Sequence, residues 1–218
     1  MKQGSSKQER GHVFVIAAPS GTGKTTLCRR LLERDAGLRL SISHTTREMR
    51  PGEVDGVDYH FVDHRRFREL VEAGAFLEHA EYNGNLYGTS WEAIEATIES
   101  GEDVVLEIEV QGAEQVKERR PSARLIFLLP PSLKVLEQRL RGRGTDSEAV
   151  IQKRMALADR ELAAARHFDY AVVNDDLECA VDEVLGLVRS IREGRDAEAH
   201  SRHGLGRVLE AWHRSNAG

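Results

Sequence analysis

The chain has 218 residues, 40% hydrophobic and 31% charged, which suits one soluble globular domain with small insertions. A net charge of -5 gives no ground for a general nucleic-acid binder, and no apolar run approaches membrane-spanning length. Cys28 and Cys179 lie far apart and match no metal-ligand spacing, and Met1–Ser6 lacks a signal-peptide core, so reduced thiols and a cytoplasmic location are expected.

Residues 1–11 are polar and read as a disordered arm. Val13-Phe14-Val15-Ile16-Ala17 then forms a β-branched and aromatic run that predicts a buried strand. Past the loop that follows, Leu27, Leu31 and Leu32 recur at helical spacing among Arg29, Arg30, Glu33 and Arg34. Between strand and helix stands Ala18-Pro19-Ser20-Gly21-Thr22-Gly23-Lys24-Thr25-Thr26. Strand, glycine-containing loop, Lys-Thr and helix make a phosphate-binding P-loop, in which backbone N–H groups and the helix N-terminus face a polyphosphate and the lysine neutralises it. The usual first glycine of that pattern is Ala18 here. A Gly-Ser turn before a helix is the plainer alternative, disfavoured by the strand and helix on either side.

Further along, Leu38–Ile42 alternates as a second strand, and residues 43–60 are irregular, with turns at Pro51-Gly52 and Asp55-Gly56. A short strand over Tyr59–Val62 precedes a helix over His64–Ala73. Leu77–Tyr82 and Leu86-Tyr87 form a hairpin about Asn83-Gly84, and Trp91–Ile98 is helical. Val104–Val110, Leu125–Leu129 and Tyr170–Val173 are further core strands. Helices over Gln111–Arg119, Ser132–Arg141, Ser147–Arg166 and Leu177–Arg192 alternate with them, which predicts a parallel sheet covered on both faces. The tail 194–218 is rich in Gly, Arg and His. It carries a short helix around Leu205–Trp212 and otherwise reads as a frayed, solvated segment.

Arg47 and Arg50, three apart in a hydroxyl-rich stretch near Tyr59, suit a forked clamp on one phosphate group, although a solvated charged loop explains the same residues. The basic run Arg139, Arg141, Arg143, Lys153 and Arg154 has the same two readings, a solvated helix face or a lid that brings guanidinium groups to a transferring phosphoryl.

The stretch 43–59 resembles the phosphate-gripping segment of guanylate kinases, and the likeness extends from residue 12 to 193. The hairpin 76–89 is similar to that family's base-binding lobe. Leu106-Glu107-Ile108-Glu109-Val110-Gln111-Gly112 stands where the family usually has L-D-I-D-x-Q-G, Arg139–Gly144 with Lys153-Arg154 resembles its lid, and Val173-Asn174-Asp175-Asp176 its adenine-side loop. The resemblance implies an α/β P-loop core with a parallel sheet flanked by helices, a GMP-binding lobe at about 43–89 and a lid at about 135–166. It implies transfer of the γ-phosphoryl of ATP to GMP with Mg²⁺, and leaves dGMP as acceptor and a homo-oligomer open.

The implied roles fall on specific residues. Ala18 to Thr26, with Arg143 and Asn174, would hold ATP. Ser43, Arg47, Arg50, Tyr59 and Tyr87 would hold the GMP phosphate, and Glu78, Thr89 and Glu109 its base and sugar side. Lys24, Arg47, Arg139, Arg143 and Arg154 would serve the transfer, and Thr25 with Glu107 the metal. Glu78 suits its part: guanine presents N1–H and the exocyclic amine side by side, two donors that one ionised carboxylate accepts together. Glu107 and Glu109 replace the usual aspartates, Thr89 the usual serine and Met49 a common proline. A ribose-bisphosphate kinase of the same fold and a silent guanylate-kinase-like interaction module are the alternatives. The former lacks the guanine-reading hairpin, and the latter typically loses the P-loop lysine and lid arginines.

Overall fold

The computed structural model describes residues 11–82, 84–142 and 147–216. The expected N-terminal arm lies outside them apart from Gly11, whose N–H donates to the carbonyl of Ile98 at 2.9 Å.

The chain begins with β1 (Val13–Ala17), α1 (Lys24–Arg34), β2 (Leu38–Leu40) and the two-residue strands β3 (His44–Thr45) and β4 (His60–Phe61). Next come α2 (His64–Glu72), the hairpin of β5 (Phe76–Tyr82) and β6 (Asn85–Ser90), and α3 (Trp91–Glu99). The second half runs β7 (Asp103–Glu107), α4 (Val110–Arg119), β8 (Arg124–Leu129), α5 (Leu133–Gly142) and α6 (Glu148–Ala164). It closes with β9 (Tyr170–Val173), α7 (Leu177–Arg192), α8 (Asp196–His203) and α9 (Leu205–Ser215). Helix starts follow local side-chain chemistry: Asp63, Ser90 and Asp176 accept from the backbone N–H of Arg66, Ala93 and Cys179, which caps α2, α3 and α7. In the hairpin turn Gly84 takes a φ of 78°, the left-handed conformation such turns need, while Asn83 lies outside the described residues.

The expected parallel sheet is present, with strand order β2-β7-β1-β8-β9 and every pairing parallel. Its side chains alternate between two cores. Val13, Val15 and Ala17 pack with Ile94, Ile98, Ala113, Val116 and Trp212 on one face. Phe14 and Ile16 pack with Leu27, Leu31, Val181 and Val184 on the other. A separate four-stranded sheet, β4-β3-β6-β5, forms the lobe over residues 43–90, and α5 and α6 share a small apolar cluster of Leu136, Leu140, Ile151 and Ala158.

The expected helix near Leu205–Trp212 is found, but the rest of the tail departs from a frayed, solvated segment. It folds as α8 and α9 against the sheet. Leu205 and Trp212 are buried at 8% exposure each, and the indole Nε1–H donates to the carbonyl of Pro130 at 2.6 Å. Burial of Ala199, Leu205 and Trp212, with the indole's polar edge satisfied, works against the cost of ordering a charged segment. Trp212→Ala should therefore lower unfolding stability by about 3 kcal/mol or more in urea titrations. A loss below about 1 kcal/mol, ordinary for a surface site, would mean that the tail does not carry its share of the fold.

Candidate active site

Parallel pairing of β1 with β7 sets Ile16 level with Glu107, so the loops leaving both strands open at the same edge of the sheet. The loop after β1 turns through Gly21 and Gly23, with φ of 97° and 101°, and runs straight into α1. Gly23 is the residue before that helix, and no side chain caps it, leaving the first-turn N–H groups turned toward the loop. Lys24, the first helical residue, reaches across to the end of β7. Its ammonium donates to the carbonyl of Ile108 at 2.7 Å and to Glu109 Oε1 at 3.2 Å. Burial works against that charge, yet Glu109 and Glu107 outweigh it and hold the lysine pKa above its ordinary value.

One cleft of about 430 Å³ gathers most of the residues singled out in the sequence. From the P-loop come Ala18, Pro19, Ser20, Gly21, Gly23, Lys24, Thr25 and Thr26. The lobe contributes Ser43, Arg50, Tyr59, Glu78 and Tyr87, the end of β7 Glu107 and Glu109, and α6 Arg154. The Arg154 guanidinium donates to the Ser20 hydroxyl at 3.2 Å, linking α6 to the P-loop. The Thr25 hydroxyl donates to Glu107 Oε1, so two oxygen donors of the kind a hard divalent cation takes already face each other.

The remaining residues stand behind this surface. Thr22 is fully buried, and its carbonyl accepts from Asn174 Nδ2 at 2.7 Å and from Arg139 at 3.4 Å. Arg139 also donates to the carbonyls of Asn174 at 3.1 Å and Asp175 at 3.3 Å. It thus ties the P-loop to the loop after β9. Arg143 lies outside the described residues. Arg47 is clamped by Glu53 through two guanidinium nitrogens, at 2.7 and 3.0 Å, with Tyr59 and Phe61 rings 5.4 and 5.7 Å from its carbon. Glu53 also accepts from the backbone N–H of Arg50, so one carboxylate shapes the turn that carries both arginines.

Glu78 sits in the wall of the lobe at 3% exposure, and its Oε1 accepts from Thr89 Oγ1 at 2.6 Å. The Ser43 and Thr89 hydroxyls are 3.2 Å apart and extend the chain of polar contacts. Burial pushes the Glu78 pKa up to about 7 against the opposing bonds from Thr89.

Three contributors were not singled out in the sequence. Tyr82 lines the cleft because Glu78, Ala80 and Tyr82 fall on one face of β5, a period-two pattern that was readable once Glu78 was chosen. Glu53 has a weaker signal, one acid three residues past Arg50. Glu161 shares a face of α6 with Arg154 and Ala158 at i, i+4 and i+7. It is 8% exposed, and its Oε2 has no hydrogen-bond partner among the described residues. Burial, reinforced by Glu109, pushes its pKa up to about 7.

These two raised carboxyls make stability fall as pH rises. Between about pH 4.5, where the unfolded carboxyls ionise, and about 7, where the folded ones do, the folded protein holds protons that the unfolded chain releases. Their stabilising contribution is complete below that window and lost above it. The urea midpoint should drop across the window, and the drop should shrink in Glu78→Gln/Glu161→Gln. Equal slopes in both proteins would rule this linkage out.

Comparison with known proteins places the chain. The guanylate kinase family model matches residues 10–191. The chain is 52% identical over 193 residues to a guanylate kinase of Aromatoleum aromaticum and 51% identical over 193 residues to one of Neisseria gonorrhoeae; each match covers 88% of this chain and 94% of the relative. A crystal structure of guanylate kinase from Anaplasma phagocytophilum superposes with a TM-score of 0.69 at 33% identity, covering 84% of this chain and 87% of that one. With a family model matched over most of its length and relatives identical at half of the aligned positions, the chain belongs to the guanylate kinase family.

Proposed function

We propose that this protein transfers the γ-phosphoryl group of ATP to GMP, giving ADP and GDP. The observation that carries the reading is the placement of Lys24 and Glu78 on one cleft, a triphosphate-neutralising cation facing a buried base-reading carboxylate. Lys24 and Arg154, which a silent interaction module would lack, both line it.

The residues divide the work by their chemistry. The uncapped first turn of α1 and the P-loop amides hold the triphosphate, and Lys24 exchanges its bonds to Ile108 and Glu109 for phosphate oxygens. Arg50, Ser43, Tyr59 and Tyr87 surround the acceptor phosphate, and Arg47, paired with Glu53, shapes the turn behind them. Glu78, ionised, accepts the two adjacent donors of guanine. Adenine, with an acceptor at the first of these positions, is rejected, a mismatch that polar sites can exploit by factors of roughly 10⁴. Because the attacking group is already a phosphate anion, no general base is needed, and catalysis reduces to alignment and charge neutralisation. Arg154, carried on α6 and anchored on Ser20, stands where charge builds as the phosphoryl moves. Thr25 and Glu107 would hold Mg²⁺, which when bound neutralises charge on the donor phosphates. Arg139 supports the P-loop through carbonyls, and Asn174 does the same beside it.

ADP release measured with GMP, IMP, AMP and a ribose bisphosphate as acceptors tests the reading directly. GMP should be used far better than the others, and no turnover with GMP above background would overturn it. Arg154→Ala should cut kcat on the order of 10³-fold, as removal of a charge-stabilising arginine does in phosphoryl transfer. An unchanged kcat would remove Arg154 from the transfer step.

A further inference from the structure

Gly112 is the third residue of α4 and is buried. Glycine is a poor helix former, so its place there asks for a reason. Backbone conformation does not supply one, because Gly112 has no positive φ. Space does. A Cβ at this position would stand 2.5 Å from Glu78 Oε2, 3.2 Å from its carboxyl carbon and 3.3 Å from Ile108 Cδ1. The other helical glycines among the described residues, Gly142, Gly186 and Gly206, would meet nothing within 4 Å. The side chain missing from Gly112 is therefore the volume that the Glu78 carboxylate enters.

That contact completes the seat of Glu78. One carboxylate oxygen is held by the Thr89 hydroxyl, and the other lies against the first turn of α4, where helix amides lack intrahelical acceptors and the dipole favours negative charge. We infer that Gly112 is a specificity-determining position for the acceptor base, setting where the Glu78 carboxylate stands by leaving room for it against α4. Gly112 acts through Glu78, as a positioning residue, and the inference rests on the reading of Glu78 as the guanine-facing group.

Gly112→Ala provides the test, with Glu78→Gln beside it. Alanine favours helix, and the atoms it meets are the ends of the Glu78 and Ile108 side chains rather than backbone, so the fold persists while the carboxylate is displaced. The variant should keep the urea midpoint and ATP binding of the unmodified protein. KM for GMP should rise about tenfold or more, in line with the loss of a charge-assisted hydrogen bond. The preference for GMP over IMP should fall with it, because the displaced carboxylate no longer meets the exocyclic amine that IMP lacks. Normal GMP use by Glu78→Gln would refute the underlying base assignment. Impaired Glu78→Gln together with a Gly112→Ala variant of normal KM and preference would refute the role of Gly112 alone. Loss of folding, or a parallel loss of ATP binding, in Gly112→Ala would also overturn the inference, since a merely structural glycine predicts that result.

Discussion

The site depends on one register, the parallel pairing of β1 with β7 that sets Ile16 beside Glu107. The strands are buried on both faces, so a slip of one residue would exchange Val13, Val15 and Ala17 with Phe14 and Ile16 between two differently shaped cores. Held this way, the strand ends deliver the P-loop from one side and two carboxylates from the other. Lys24 crosses the gap to Ile108 and Glu109, and Thr25 crosses it to Glu107.

A second constraint is the burial of acid, where desolvation outweighs the nearby cations. Glu78 and Glu161 are both more than nine-tenths buried, and both carry pKa values raised to about 7. In Glu78 one oxygen is bonded to Thr89, which offsets part of the cost of desolvation. Glu161 faces a different balance. Burial and Glu109 oppose its charge, Lys24 favours it, and its Oε2 has no hydrogen-bond partner among the described residues, so its pKa is pushed up to about 7.

How much of this was legible in the sequence follows from the range of each interaction. The P-loop was readable because its strand, glycines, lysine and helix are contiguous. The sheet and its helices were readable because each element carries its own period, as in Tyr170–Val173 and Leu177–Arg192, whose bounds matched. Arg47 shows where such reading stops. Its residue type and neighbours suggest a phosphate clamp, but whether its fork is open or engaged depends on Glu53, on a turn with no period at all. Arg139 likewise resembles a lid arginine in sequence, while its bonds to three carbonyls come from loops about 35 and 117 residues distant. The tail's helix at Leu205–Trp212 is legible from its period, but its docking is not, because many charges surround the few buried residues, Leu205 and Trp212, that seat it.

The tail also bears on the site through the way α5 leaves the sheet. Strand β8 ends at Leu129, and Pro130, Pro131 and Ser132 lead into α5. Trp212 binds the carbonyl of Pro130, and Asn216 Nδ2 binds that of Pro131 at 3.0 Å. At the other end of the tail, Gly204 bridges to Tyr170 and Leu205 N–H donates to Asp169 at 3.2 Å, at the start of β9. Two prolines restrict the backbone on the β8 side, and they cannot donate, so their carbonyls are what a neighbour can grip. Helix α9 therefore fixes the root of α5 and the strand that leads to Asn174. Arg139 then joins α5 to the Asn174–Asp175 carbonyls, and through Thr22 to the P-loop. Residues 196–216, which lie beyond the family match ending at residue 191, thus brace the loop that leads into Lys24.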